Sequence, residues 1–286
     1  MCAVGRILKD QGRIAEADSI LSQTLNLQTD ALGETNDDTL QTMNTMAIVL
    51  TDQGKHEQAL QLLRRAVDRR RQVSGPTHAQ TLALINTLDY LSQRLGRLDE
   101  AEAAFRESYE TYARPHGEDD ERSAMMMSNL GVILHQLKRL DEAQQLLERC
   151  AAYCQRHHSE AHPSAITAIF NLANLLTTRG AFERAAAIYE RVLSIAPNTT
   201  PAERFTRLAA CCELGKCLML LRRFEAAEKQ WQQGHEEALA LKSIRPGAFR
   251  RAAQMLVELY TAWEKPDQAA HYQSLLDPPA TRPNSG

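Results

Sequence analysis

Residues 43 to 66, MNTMAIVLTDQGKHEQALQLLRRA, hold the reading that decides the fold. Met43, Met46, Ala47 and Leu50 recur at three- and four-residue spacing, and so do Ala59, Leu63 and Ala66. Side chains three and four apart share one face of an α-helix, so each set is the apolar stripe of an amphipathic helix. Gly54 stands between the stripes. There the first helix must stop and the chain reverse, and glycine enters the left-handed backbone region without a Cβ penalty. The stretch reads as two helices joined by a tight turn.

The pattern returns every 42 residues. Ala17, Ala59, Ala101, Ala143, Ala185, Ala227 and Ala269 share one column. Val4, Met46, Leu88, Leu130, Leu172, Leu214 and Leu256 share an apolar one, as do Ile7, Val49, Leu91, Ile133, Leu175, Cys217 and Leu259. Large side chains line a fourth: Leu21, Leu63, Phe105, Leu147, Tyr189 and Trp231. The alanines admit close approach of the two helices, since a larger side chain would force them apart. Gly12, Gly54, Gly96 and Gly180 occupy the turn column, with Lys138 and Arg222 in their place elsewhere; in the left-handed conformation each of those two strains its turn by about 1 kcal/mol.

First helices are expected near 38–53, 80–95, 122–137, 164–179, 203–221 and 247–263. Second helices are expected near 56–73, 98–114, 140–157, 182–195, 224–241 and 266–276, after an initial one near 14–31. One hairpin cannot cover its own apolar faces, so neighbours must stack into a continuous core. This predicts an all-α solenoid over 1–276 of about six and a half hairpins: a partial repeat at 1–33, then repeats near 37–75, 79–117, 121–159, 163–197, 202–242 and 247–276. Met1 falls partway into a first helix, which reads as a fragment or a misplaced start. Asp277 to Gly286, with Pro278, Pro279 and Pro283, reads as a disordered tail.

Composition agrees. Aromatics are 5% of the 286 residues, and Ala, Leu, Gln, Glu and Arg dominate, the usage of a helical chain. A net charge of −3 supplies no bulk field for nucleic acid or anionic lipid. No apolar run reaches the roughly 18 to 20 residues of a membrane span. Six cysteines without a leading signal segment fit a reducing cytoplasm.

Catalytic and metal motifs fail on inspection, so neither enzyme nor cofactor is expected. Cys150, Cys154, His157, His158 and His162 resemble a metal cluster, but Cys150 stands in the packing column of Ala66, Ser108 and Val192. His235-Glu236 is followed by Leu239 where a zinc protease helix needs its second histidine, and Ala210 stands where a phosphate loop before Gly215-Lys216 needs glycine. The run Arg64, Arg65, Arg69, Arg70 and Arg71 encloses Asp68 and reads as a solvated face rather than an RNA site. Asp89 shares the close-packing column of Gly5, Ala47, Gly131, Ala173 and Gly215; a polar contact to a neighbouring helix and a local loosening both remain open.

The small residues at Ala47, Ala59 and Ala66, Gly54, and large apolar residues at Met46, Leu50 and Leu63 resemble the tetratricopeptide repeat. The 42-residue unit is similar to the variant of kinesin light chains and related signalling and nephrocystin-like proteins. Leu32-Gly33-Glu34, His116-Gly117-Glu118, His162-Pro163 and residues 170–176 match that variant's link and first helix. No heptad segment precedes the repeats, so a complete motor light chain is not expected. The resemblance implies a right-handed superhelix whose first helices line a concave groove for a protein or peptide. On that reading Asn44, Asn86, Asn129, Asn171 and Asn174 pair with the backbone of an extended peptide, and Tyr90, Arg94 and Lys216 select an aromatic or acidic residue. The expected function is a protein-interaction adaptor; the alternative is a regulatory segment of a larger signalling protein, attached for example to a nucleotide-binding switch.

Overall fold

The chain is described here from a computed structural model over residues 2–117, 119–197, 199–240 and 246–276, the side chains of Tyr90, Gln93, Arg94, Pro201 and residues 246–249 excepted. The expected tail, 277–286, lies outside the described residues. Two compact units divide the chain between Leu146 and Leu147.

The first unit contains α1 (Cys2–Asp10), α2 (Ile14–Leu32), α3 (Asp37–Asp52), α4 (His56–Ser74), α5 (Ala79–Leu95), α6 (Leu98–Ser108), a π-helical turn (Tyr109–Ala113), α7 (Arg114–His116), α8 (Glu121–Gln136) and the start of α9 (Leu140–His157). From α1 to α6 each helix packs on the next in sequence, and α1, α3 and α5 also touch in succession. The second unit continues with α10 (Pro163–Thr178), α11 (Phe182–Ile195), α12 (Pro201–Leu220), α13 (Phe224–Ala240), α14 (Pro246–Ala262) and α15 (Pro266–Leu276), packed in the same manner. The described residues contain no strand.

Why the helices begin where they do is visible in a column that joins unlike residues. Asn36 accepts the N–H of Asp38 at 2.9 Å, His78 that of Gln80 at 3.3 Å, Asp120 that of Ser123 at 2.9 Å and His162 that of Ser164 at 3.3 Å. These side chains stand 42 residues apart, and each satisfies an N–H that the first helical turn leaves without a partner. At α12, Thr200 and Glu203 form a reciprocal capping box instead.

The hairpin turns follow the glycine column. Gly54 has φ 76°, and Lys138, Arg222 and Glu264 enter the same region at 63°, 57° and 58°. Glu264 extends the exception to the last hairpin.

One helix departs from expectation. The second helix beginning at Leu98 was to run unbroken to 114, but Tyr109–Ala113 widens to π spacing, with Arg114 N–H donating to Tyr109 O. Pro115 gives the reason. It has no N–H to bond the carbonyl of Thr111 and its ring crowds that carbonyl, so the preceding turn loosens.

In the first unit Ala17, Ala59, Ala101 and Ala143 are buried, as are Leu21, Leu63 and Phe105 in the large-residue column; in the second, Ala185, Ala227, Tyr189 and Trp231 are buried likewise. Large and small columns are complementary. A Cβ added at Gly5 would lie 2.6 Å from Leu21 Cδ2, and one at Gly215 would lie 2.7 Å from Trp231 Cε2 and nearer still to Nε1 and Cδ1. At Trp231, the bulkiest side chain of its column, the first helix carries no side chain at all. Asp89, in the same small-residue column, is half-buried.

Candidate functional site

Within each unit the faces of the first helices that escape the core carry the candidate binding residues. In the first unit the residues one and two after the buried Met43, Ile85 and Met127 are polar, although Thr45 among them is buried; in the second unit the same columns hold Phe170 and Cys212 beside Asn171 and Glu213.

In the first unit the structure brings two of the asparagines together. Asn129 Nδ2 on α8 donates to Asn86 Oδ1 on α5 at 3.4 Å. That bond uses neither the amide hydrogens of Asn86, which is exposed, nor the carbonyl oxygen of Asn129, which is half-buried. Asn44 on α3 is half-buried, and its Oδ1 is buried with no hydrogen-bond partner among the described residues. Tyr90 and Arg94 lie on α5, and their side chains are outside the described residues.

In the second unit Asn171 and Asn174 are half-buried on α10 and Lys216 is exposed on α12. Asn174 has a structural engagement that sequence reasoning missed: Tyr189 donates its hydroxyl to Asn174 Oδ1 at 2.7 Å. Burial of that phenol pushes its pKa upward, so it remains a donor. The signal for this contact is the coincidence of Tyr189, the only tyrosine of its column, with Asn174, where the other units have Ile48, Tyr90, Val132 and Lys216.

The arginine run on α4 proves to be an ion-pair system. Arg65 and Arg69 both meet Glu34 of the preceding link, Arg70 meets Asp37, Arg64 meets Glu100 on α6, and Arg71 meets Glu107 at 2.8 Å. The guanidiniums thus tie one hairpin to its neighbours on both sides. Partly exposed pairs of this kind contribute about 0–1 kcal/mol each, so they set the register of stacking more than its strength.

The cysteines behave as small apolar groups. Cys150, Cys154, Cys211 and Cys217 are buried and none of the six is in a disulfide. Burial pushes the thiols of Cys211 and Cys212 up to about 12 and about 11, far from the thiolate that metals and oxidants require. His157 stacks on Tyr153 and His158 on His162, with centroids 4.5 and 4.1 Å apart. Among the described residues no group of three or more His, Cys, Asp or Glu side chains is placed to hold a metal. No helix among them is long and apolar enough to cross a membrane.

Helix hairpins repeated at a constant interval, with left-handed turns and alanine contacts, match the family model of the tetratricopeptide repeat over residues 1–72, 40–114, 90–150 and 122–198. The chain belongs to the tetratricopeptide-repeat family. Solved structures agree in fold. A putative kinesin light chain with nearly identical TPR-like repeats from Podosopora anserina is 21% identical, covers 68% of this chain and 92% of its own, and has a TM-score of 0.59. BtubC (BKLC) from P. vanneervenii is 20% identical over 81% of this chain and 92% of its own, with a TM-score of 0.62. The apo form of RapI is 12% identical over 95% and 93%, with a TM-score of 0.66. No curated protein sequence matches the chain. The tetratricopeptide array is an all-α solenoid and a protein-interaction scaffold, a non-catalytic fold.

Proposed function

We propose that this protein is an adaptor whose first-helix faces bind an extended peptide segment of a partner protein, without cofactor or catalysis. The observation that carries the proposal is the amide pair Asn86–Asn129, which spans α5 and α8 and whose mutual bond leaves the Asn86 amide hydrogens and the Asn129 carbonyl oxygen unused. A peptide backbone offers the complementary carbonyl and N–H at every residue, so such a pair binds main chain whatever the side chains. Asn44, whose Oδ1 is buried, adds only amide hydrogens to this row, and Asn171 with the amide hydrogens of Asn174 plays the same part in the second unit. Tyr90, Arg94 and Lys216 supply preference for an aromatic or acidic partner residue.

The partner is a protein rather than nucleic acid, because the arginines that would serve phosphate are committed to carboxylates. A reducing cytoplasm suits four buried thiols held well above their ordinary pKa range or packed as apolar groups. The test is a peptide library selected on the full chain, followed by titration of the best peptide against Asn86→Ala and Asn129→Ala. Each variant is expected to weaken binding about tenfold, the worth of one to two hydrogen bonds, with its melting temperature unchanged. Equal affinity in folded variants would remove the asparagines from the site.

A further inference from the structure

We propose that the cavity bounded by α9, α10 and α11 in the second unit is a binding site for a small molecule with an apolar two-ring body. The cavity has a volume of about 340 Å³, and none of the candidate asparagines lines it. Its apolar walls are Ala151 and Ala152 on α9, Ile169 and Leu172 on α10, and Ile188 on α11. The lining runs from Glu148 to Ile195, with further helices of the array before and after it in the chain.

The cavity exists because α9 lacks side chains that its counterparts keep. In the column of Ala151 stand Leu25, Val67, Tyr109, Leu193 and His235, and in that of Ala152 stand Asn26, Asp68, Glu110, Ser194 and Glu236. The loss reaches the core. Ile169 shares a column with Met43, Ile85, Met127, Cys211 and Ala253, all buried, and Leu172 shares one with Met46, Leu88, Leu130, Leu214 and Leu256, all buried too. Ile169 and Leu172 are only half-buried. Walls of this kind give water few polar partners, and they forgo dispersion contacts that an apolar occupant restores.

The same columns make a different surface in the first unit. There the cleft between α4, α5 and α6 is lined by Arg64, Asp68, Arg71, Glu100 and Glu107 around Val67 and Leu88, so charge surrounds it. Between α9, α10 and α11 alanine and branched aliphatic side chains take over. Size then sets the class of occupant. An apolar cavity of about 150 Å³ takes one benzene ring, so one of about 340 Å³ takes two fused rings.

The rim selects a small molecule over a partner helix. Arg191 on α11 and Glu160 of the α9–α10 link, both exposed at the edge of the cavity, bond each other at 2.6 Å. A helix laid across this edge would have to part the pair and bury both charges. A two-ring molecule fits beneath it and offers a single polar group to either partner. Residues 277–286 do not compete for the place, since they carry no Leu, Ile, Val, Met or aromatic side chain.

The test titrates the full chain with 2-naphthol by isothermal calorimetry. One saturable site per chain is expected, with a melting temperature that rises with probe concentration. Ala151→Leu, which restores the residue type of Leu25 and Leu193, and Ala152→Leu are each expected to weaken binding at least tenfold, because the added side chain takes the probe's space. Their urea midpoints should be unchanged or higher, since they fill a cavity rather than open one. Ala103→Leu, the same change in the first-unit cleft, should leave the affinity as it is. Absence of a saturable site, or binding that survives both fillings in folded variants, overturns the proposal. So does an equal loss with Ala103→Leu, which would make the uptake unspecific.

Discussion

Replacing Gly215 by alanine tests the fitted relation between the two helices of a hairpin. Glycine within a helix costs about 1 kcal/mol relative to alanine, so with free space the substitution would stabilise α12 by that amount. The space is not free. The new Cβ would lie 2.7 Å from Trp231 Cε2 and closer to the indole nitrogen, and Trp231 is buried with its Nε1 donating to Cys212 O at 2.9 Å. Overpacking costs about 1–3 kcal/mol, and displacing the indole adds about 0.5–1.5 kcal/mol for its hydrogen bond. The net expectation is destabilisation by about 1–3 kcal/mol once the helix-propensity gain is subtracted. Urea unfolding, followed by tryptophan fluorescence and by circular dichroism, measures it as a lowered midpoint, and each probe is read separately because repeat arrays need not unfold in one step. Trp231→Leu, which restores the residue type of Leu21 and Leu63, should recover part of the loss in the double variant. A Gly215→Ala protein as stable as the parent, or more so, would refute the complementarity of the two columns.

Two further predictions concern stability. Lys138→Gly relieves a left-handed non-glycine residue worth about 1–2 kcal/mol and gives back about 0.4–1 kcal/mol in unfolded-chain entropy, so the urea midpoint should rise modestly. Arg222→Gly should gain less, because it also removes a guanidinium 5.5 Å from the Phe224 ring centroid. His135 has its pKa lowered by burial and then by the charge of Lys138, so the unfolded chain binds its proton more readily than the folded one. Its contribution therefore rises with pH through the interval between the lowered value and the ordinary one of 6.5, and is lost as pH falls through that interval. The difference in melting temperature between parent and His135→Gln should shrink or reverse toward acid; a difference constant with pH would contradict the assignment.

Much of the array was legible because its determinants are local. A helix stripe, a turn glycine and a contact alanine each act within one hairpin, and a 42-residue column displays them whatever lies beyond. The capping column was equally regular yet went unread, because Asn36, His78, Asp120 and His162 have in common only the ability to accept an N–H. The widened turn at Tyr109–Ala113 depended on Pro115, a single residue acting on a carbonyl four positions back. On the candidate face, composition pointed to asparagines but not to their partners: Asn86 meets Asn129, whereas Asn174 is held by Tyr189.

Sequence alone determined that the chain is made of α-helical hairpins at a constant interval, since backbone preference and apolar spacing are properties of neighbours along the chain. Only the tertiary structure decided which arginine meets which carboxylate and which asparagine meets another asparagine or a tyrosine. Those outcomes depend on groups 15 to 43 residues apart arriving within hydrogen-bond distance, and distances of that kind exist only after the helices have packed.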